Sequence, residues 1–600
     1  TLEAEVEDAG LGLETVRLEH NLGVWRSEQS DKGLAMASAA SLHLNGAELT
    51  PSTLAPLKRI WQWISAPGQV ASFARLVTVA RGDDRNLDPG AAARQTLNHV
   101  QSAGWPMALF AHEAAWAERW RCSDIEVEGD EDAQRALRFA VYHLNSAANP
   151  SDERVSIGAR ALTGDAYLGH VFWDTEIFLL PFYTMTWPEA ARALLMYRYH
   201  TLDGARSKAE RMGWRGALYA WESADTGEEV TPTQALGLNG RPVPIRCGEQ
   251  EQHISADVAF AVWQYWQATA DDDFLREAGA EILLETARFW ASRAQLEADG
   301  RRHIRGVIGP DEYHEGIDDN AYTNIMARWN IRRAFEIAAL LRERWPDHWV
   351  PLAARLALGE AELDQWRETA DSLATGFDTA SGIYEQFAGF FTLEDIDLAP
   401  YAGRSVAMEV ALGRERISGS KILKQADVVA LLALLPEEFD PEERTPNFRY
   451  YARCCAHDSS LSRPMHAVAA ARLGDTDLAL RYFRETAASD LAETGGVSAG
   501  GVHIAALGGL WQTAVLGFAG VSLQAGALSF DPRLPPEWRS LTFRLQWRGC
   551  RLKARLEQSG RIFNAILEAG ETLNILVRGQ QCELRHGRPM WLSLPSGGCT

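Results

Sequence analysis

The feature that most constrains this chain is one long region of helical periodicity, running from about Asp130 to Phe518. Val258, Val262 and Trp266 recur four apart, which places them on one face of a helix. Thr186-Trp187-Pro188-Glu189 reads as a helix start, with Pro tolerated in the first turn and an acidic residue near the positive end. Leu473-Gly474-Asp475 reads as one helix stopping at Gly and the next being capped. Two architectures satisfy such a pattern, a helical barrel and a stacked solenoid. No fixed repeat period stands out, and the joining segments are long and rich in Trp, Glu and His. A barrel whose loops build a site is the better fit.

The periodicity changes on both flanks. Residues 1–86 read as short β segments, such as Leu76-Val77-Thr78-Val79, separated by Gly, Asn and Pro turns. Asp88-Pro89-Gly90 then leads into Ala-rich helical sequence through His112, Trp116 and Trp120, a helical linker over 87–129. After Val521 alternation returns: Leu541, Phe543, Leu545 and Trp547 share one side of a strand, and Leu573, Ile575 and Val577 one side of another. The expected class is mainly α, a barrel over 130–520 with a β domain on either side, the last over 521–600.

Composition narrows the partners. Among 600 residues, 59 Lys and Arg face 81 Asp and Glu, a net charge of −22, and no run of basic residues could neutralise a phosphate backbone. Nucleic acid is excluded as a general partner, and small or neutral molecules are favoured. The longest compact apolar run, Val428 to Leu435, falls far short of the roughly 20 residues a bilayer crossing needs. The opening residues are acidic and do not read as a signal peptide, and Thr1 in place of Met points to a native start outside this sequence. Seven cysteines without CxxC spacing fit reduced thiols in a cytoplasmic protein. The 21 tryptophans suit either a sugar-stacking cleft or an aromatic core.

The densest chemistry lies in Gly309-Pro310-Asp311-Glu312-Tyr313-His314-Glu315, followed by Asp318-Asp319-Asn320-Ala321-Tyr322-Thr323-Asn324. Crowded carboxylates raise one another's pKa, so one of them can keep a proton near neutrality and act as a general acid. The alternatives are a solvated acidic loop or a calcium site, although the spacing is not that of an EF-hand loop. His170-Val171-Phe172-Trp173-Asp174-Thr175-Glu176 sets a stacking ring beside a carboxylate that can accept from sugar hydroxyls. Trp221 and Glu222 lead into a polar loop ending at Glu228-Glu229, which read alone is equally an ordinary surface turn.

Further along, Lys424-Gln425 precede a buried helix that begins near Asp427, where a cation is out of place unless it binds a ligand or an acid. Asp458-Ser459-Ser460-Leu461-Ser462 and the Gly-rich stretch through Gly500-Gly501-Val502-His503 offer hydroxyls, helix-start N–H groups and an imidazole. Those are the parts of a phosphate site, and equally of helix caps. There is no Walker-type loop, and neither His112-Glu113 nor Glu251-Gln252-His253 has a partner at metal spacing, so no catalytic metal is expected. Gly496-Val497-Ser498-Ala499-Gly500 matches Gly-x-Ser-x-Gly, but no strand precedes it to make a nucleophile elbow.

Taken in order, HVFWDTE, WESADTGEE, HISADVAFAVWQYW, GPDEYHE with DDNAYTN, KQADVV, HDSSLS and GGVHIAALGG resemble glycoside hydrolase family 65, the inverting α-glucoside phosphorylases. The resemblance extends from about Asp88 onward. It implies an N-terminal β-sandwich, here too short to be complete, a helical linker, an (α/α)6 barrel and a C-terminal β-sandwich. It makes Glu312 the general acid and Trp173, Asp174, Lys424 and Gln425 the binders of the transferred glucosyl unit. Ser459, Ser460 and His503 would surround inorganic phosphate, the co-substrate, with no other cofactor. WESADTGEE and HISAD would shape the pocket for the leaving sugar, nearer the kojibiose branch than the maltose branch. Dimers are common in the family.

The implied reaction is physically coherent. A protonated Glu312 donates to the glycosidic oxygen while phosphate attacks from the opposite face, giving β-glucose 1-phosphate. Phosphate is already anionic and needs positioning more than a base. The rival reading is an inverting hydrolase on the same scaffold with Glu493 as base, and a third is a glycan-binding protein without turnover.

Overall fold

A computed structural model describes the chain except for residues 6–12, 28–31, 84–87, 237–239, 493–499, 525, 559 and 595–600. The Gly496–Gly500 motif, apart from its last residue, and Glu493 therefore lie outside the described residues. The chain divides into two compact units, 1–120 and 121–600.

In the first unit the strand Gly33–Leu44 pairs along its whole length, antiparallel, with Ala71–Gly82. On the latter, Leu76, Thr78 and Ala80 turn inward while Val77 and Val79 stay exposed, the alternation a one-sided sheet requires. The helix Pro89–Ala103 starts where Asp88 accepts from the Gly90 N–H, with Pro in the first turn. Its Ala93 and Leu97 close a core with Leu22, Val24, Ala35 and Ala37.

The second unit is built around the (α/α)6 barrel. Among the described residues the outer ring comprises Glu131–Ala147, Pro188–His200, Ala280–Arg293, Glu360–Ser372, Pro441–Cys454 and Thr476–Leu491. The inner ring comprises Thr175–Leu179 continued by Leu180–Thr186, then Ile254–Thr269, Ala321–Arg344, Asp427–Leu434, Ser462–Leu473 and Ile504–Gln512. Each inner helix packs on the next, and Ile504–Gln512 packs back on Thr175–Leu179, which closes the ring.

Burial separates the two rings. Every residue of Ile504–Gln512 is buried, whereas Glu131–Ala147 buries a stripe at Ala133, Ala136, Leu137, Ala140, Val141 and Leu144. The turn at Gly474 is left-handed, φ 90°, and Asp475 caps the next helix by accepting from the Leu478 N–H.

Because inner and outer helices alternate, the inner helices all run the same way. Six of the seven motif segments, all but WESADTGEE, lead into one of them, so these six gather at one mouth of the barrel, at the positive ends of six helix dipoles.

The C-terminal part packs a four-stranded sheet and a five-stranded sheet, a sandwich arrangement. The five-stranded sheet takes its edge strand from far away: Glu126–Glu128 pairs antiparallel with Ser540–Thr542. The span read as helical linker thus ends in a strand, because a sheet edge with unpaired backbone groups was available beside it.

Candidate active site

The acid loop is held by backbone and side-chain clasps that its sequence does not reveal. Asp311 is buried; one carboxylate oxygen accepts from the Lys424 N–H at 2.7 Å, and the other bonds His314 Nδ1 at 2.6 Å. In return the Asp311 N–H donates to Asp427 at 2.9 Å, and the Gln425 amide donates to the Pro310 carbonyl at 2.5 Å. Asn320 donates to the other Asp427 oxygen at 2.6 Å. Gly309 is needed because a Cβ there would sit 2.3 Å from that same Asp427 oxygen.

These clasps bring Glu312 against Lys424, Oε2 to Nζ 2.9 Å. Burial works against the Lys424 charge, but Glu312 and then Glu251 outweigh it, and the ammonium is held above its usual range. The remaining acids of the loop have structural partners. Glu315 pairs with Arg414, Asp318 accepts from the Gly306 N–H at 2.9 Å, and Asp319 bonds His303 at 2.7 Å and Arg305 at 2.8 Å. Burial and crowding raise Glu251 and Asp427 well above the ordinary range and push Asp174 up to about 7, by burial and then by Glu176; burial also raises Glu176, Glu222 and Asp257.

Trp173 is buried, its ring edge-on to Phe178, His253 and Tyr322 and 6.5 Å from that of Trp221. It therefore anchors an aromatic cluster beside Asp174. The paired backbone of Val171 and Ser223 joins the Trp173 segment to the Trp221 loop. In that loop Glu222 bonds His170 at 2.8 Å, while Glu229 accepts from Lys208, the Trp221 N–H and Thr231, a purely structural role.

The candidate phosphate residues sit at the starts of two adjacent inner helices, Ser462–Leu473 and Ile504–Gln512. These helices can approach because Gly509 faces Pro464, where a Cβ would come within 2.3 Å. Ser459 and Ser460 are half-buried, and the Ser459 hydroxyl accepts from the Leu461 N–H. His503 is fixed by buried Asp490, which bonds its Nδ1 at 2.9 Å and accepts from its backbone N–H at 3.2 Å. Asp458 ties this loop to the acid loop: it accepts from the Tyr313 hydroxyl at 2.6 Å and from Arg404, and its N–H donates to the Lys424 carbonyl.

Sequence reasoning missed two cations. Arg160 donates to the Gly501 carbonyl at 3.2 Å and stands near Asp174, and Arg404 reaches Asp458 and the Ala456 carbonyl. Neither lies in a motif, so nothing local marked them. Among the described residues, two clusters offer metal-ligating atoms within 4.8 Å of one another, Cys247 with Glu251 and Glu312, and Cys455 with His457 and His466. The Lys424 ammonium opposes a cation at the first. At the second, burial and then His466 and the Arg463, Arg404 and Arg481 guanidiniums hold His457 well below its ordinary pKa, an environment that disfavours added positive charge. A cavity of about 900 Å³ is lined by Trp263, Trp329, Arg333, Glu437 and Arg472; it takes Trp263, Gln264 and Trp266 from the far end of the HISADVAFAVWQYW segment but includes none of Trp173, Asp174, Glu312, Lys424, Gln425, Ser459, Ser460 and His503.

Residues 138–512 match the sequence profile of the glycosyl hydrolase family 65 central catalytic domain, and 521–584 that of the family's C-terminal domain. Kojibiose phosphorylase of Halothermothrix orenii is 42% identical over 515 residues, 84% of this chain and 66% of that protein. Kojibiose phosphorylase of Caldanaerobacter subterraneus subsp. tengcongensis is 43% identical over 518 residues, 86% of this chain and 67% of that protein. Alpha,alpha-trehalose phosphorylase of Thermoanaerobacter brockii is 36% identical, over 83% and 62%. The chain spans about two thirds of the length of these curated relatives. A solved structure titled as a kojibiose phosphorylase from the human microbiome shares the fold, with a TM-score of 0.85 at 23% identity over 97% of this chain and 77% of that one.

Proposed function

The chain belongs to glycosyl hydrolase family 65, and from that premise we propose that it catalyses inverting phosphorolysis of an α-linked glucose disaccharide, of the kojibiose type, to β-glucose 1-phosphate and the released sugar. The observation that carries the proposal is the linkage of Glu312 to the serine loop. Lys424 pairs with Glu312, and Asp458, one residue before Ser459, is bonded both to Tyr313 and to the Lys424 carbonyl. An acid and an anion cradle are thereby built as one unit.

In this reading Asp174, Lys424 and Gln425 hold the glucosyl unit against the cluster anchored by Trp173. Glu312 donates its proton to the glycosidic oxygen as the C1–O bond breaks. Phosphate is received by Ser459, Ser460 and His503 at two converging helix N-termini, whose dipoles favour an anion. Trp221, Glu222 and the His253 segment border the released sugar. The division into 1–86, 87–129, 130–520 and 521–600, a cytoplasmic location and a homodimer belong to the same proposal. The six described cysteines, all free thiols, support the location.

The test is incubation with kojibiose, trehalose, nigerose and maltose, with and without inorganic phosphate, following glucose 1-phosphate and its anomer. Phosphate-dependent β-anomer is the expected result. Glucose release that does not depend on phosphate would make the enzyme a hydrolase and overturn the reading.

A further inference from the structure

One buried carboxylate at the site has no task in the reaction as written. Glu251 is 1% exposed, and its carboxylate oxygens have no N–H or O–H donor, only the Cys247 thiol standing against them. An unpaired buried carboxylate is unstable as an ion and stable as an acid. A ligand atom of Glu251 lies within 4.8 Å of one from Glu312 and one from Cys247. Behind it, His253 Nε2 stands 3.8 Å from Glu251 and has no partner of its own, while His253 Nδ1 bonds Asp257 at 2.7 Å. Burial, then the Glu312 carboxylate, raise Glu251, with Cys247, Lys424 and Asp427 the other groups it faces.

Glu312 is in the opposite position. Its Oε2 lies 2.9 Å from the Lys424 ammonium, which has no lone pair to accept a proton from it and none of the geometry of a proton source, yet an acid catalyst must carry a proton when the bond breaks.

We propose that Glu251 is a positioning residue that supplies the proton Glu312 delivers; the inference rests on the phosphorolytic reading. Sugar hydroxyls engaging Lys424 weaken its hold on the Glu312 carboxylate. The Glu251 O–H then gives its proton through one bridging water, for which a gap of up to 4.8 Å leaves room, to a Glu312 oxygen, and Glu312 passes it to the glycosidic oxygen as the C1–O bond breaks and the bond from phosphate oxygen to C1 forms. The hydrogen phosphate's own proton is released to solvent from the new monoester, whose second pKa is about 6, and once the products leave the carboxylate pair takes one proton back from solvent. One proton leaves the pair and one comes back in each turnover.

The experiment compares Glu251→Gln and Glu312→Gln on kojibiose and on α-glucosyl fluoride, each with phosphate. Fluoride needs no proton to depart. Glu251→Gln is expected to lose at least about 100-fold in kcat on the disaccharide with KM little changed, and to keep its turnover of the fluoride. Glu251→Asp, which retains an acid, is expected to recover part of the disaccharide activity. If both Glu251 variants lose the two substrates alike, or if Glu251→Gln loses neither while Glu312→Gln loses the disaccharide alone, the inference is overturned and the phosphorolytic reading stands. A Glu312→Gln variant that turns over the disaccharide like the parent would sink the reading itself.

Discussion

Replacing Arg198 by Met tests how the segment that carries Trp173 and Asp174 is held. Arg198, on the outer helix Pro188–His200, is fully buried together with Glu176. Its guanidinium donates to the two Glu176 oxygens at 2.7 and 2.8 Å, to the Phe172 carbonyl at 3.0 Å and to Ser223 at 3.3 Å. One side chain thus braces both strands of the Trp173 and Trp221 segments. Met fills similar length without charge and leaves Glu176 buried alone, which costs about 3–5 kcal/mol.

That loss has a pH signature. Burial already raises Glu176 and Arg198 opposes the rise, so removing Arg198 raises it further. A carboxyl whose folded pKa lies above its unfolded value of about 4.3 destabilises the fold at higher pH, and the penalty fades as pH falls through the folded pKa towards the unfolded one. Urea unfolding followed by tryptophan fluorescence should show the full deficit at pH 7.5 and a smaller one at pH 5. The double variant Arg198→Met with Glu176→Leu should recover at least half of it. A deficit under about 1 kcal/mol at pH 7.5, or one that is equal at both pH values, would refute the argument.

Three further outcomes are expected. Tyr313→Phe removes the 2.6 Å bond to Asp458 and should raise KM for phosphate about tenfold with a smaller change in KM for sugar, as initial rates at varied phosphate would show. Gly309→Ala forces a methyl to within 2.3 Å of the Asp427 carboxylate, and should lower the thermal midpoint and cut kcat by opening the acid loop. Asp490→Asn leaves the His503 ring without its anionic partner, and should weaken phosphate binding about 10-fold in isothermal titration while leaving the unfolding midpoint within about 2 °C.

The architecture was legible where physics is local. Gly474 and Asp475 end and begin helices by backbone geometry alone, and the alternation from Leu541 to Trp547 sits in one strand. The motif segments were legible as chemistry-bearing because aromatic, acidic and hydroxyl residues crowd into joints between helices. Their division of labour was not. Asp311, Glu315, Asp318 and Asp319 look like Glu312 in the sequence, and only their partners across the fold show that they are structural. Arg198, Arg160 and Asp490 act on motifs from helices or turns outside them, at separations no local pattern encodes. The pairing of Glu126–Glu128 with Ser540–Thr542 is of the same kind, since a three-residue strand acquires meaning only from the edge it meets.

Closure of the ring carries a consequence for synthesis. The apolar stripe of the helix Glu131–Ala147 is covered by Ile504–Gln512, whose residues emerge from the ribosome several hundred positions later. At ordinary elongation rates of about 5–20 residues per second that surface waits on the order of tens of seconds for its cover. Throughout that interval the nascent barrel is an open arc whose leading edge is an uncovered apolar stripe, the kind of surface that makes incomplete folds prone to aggregate.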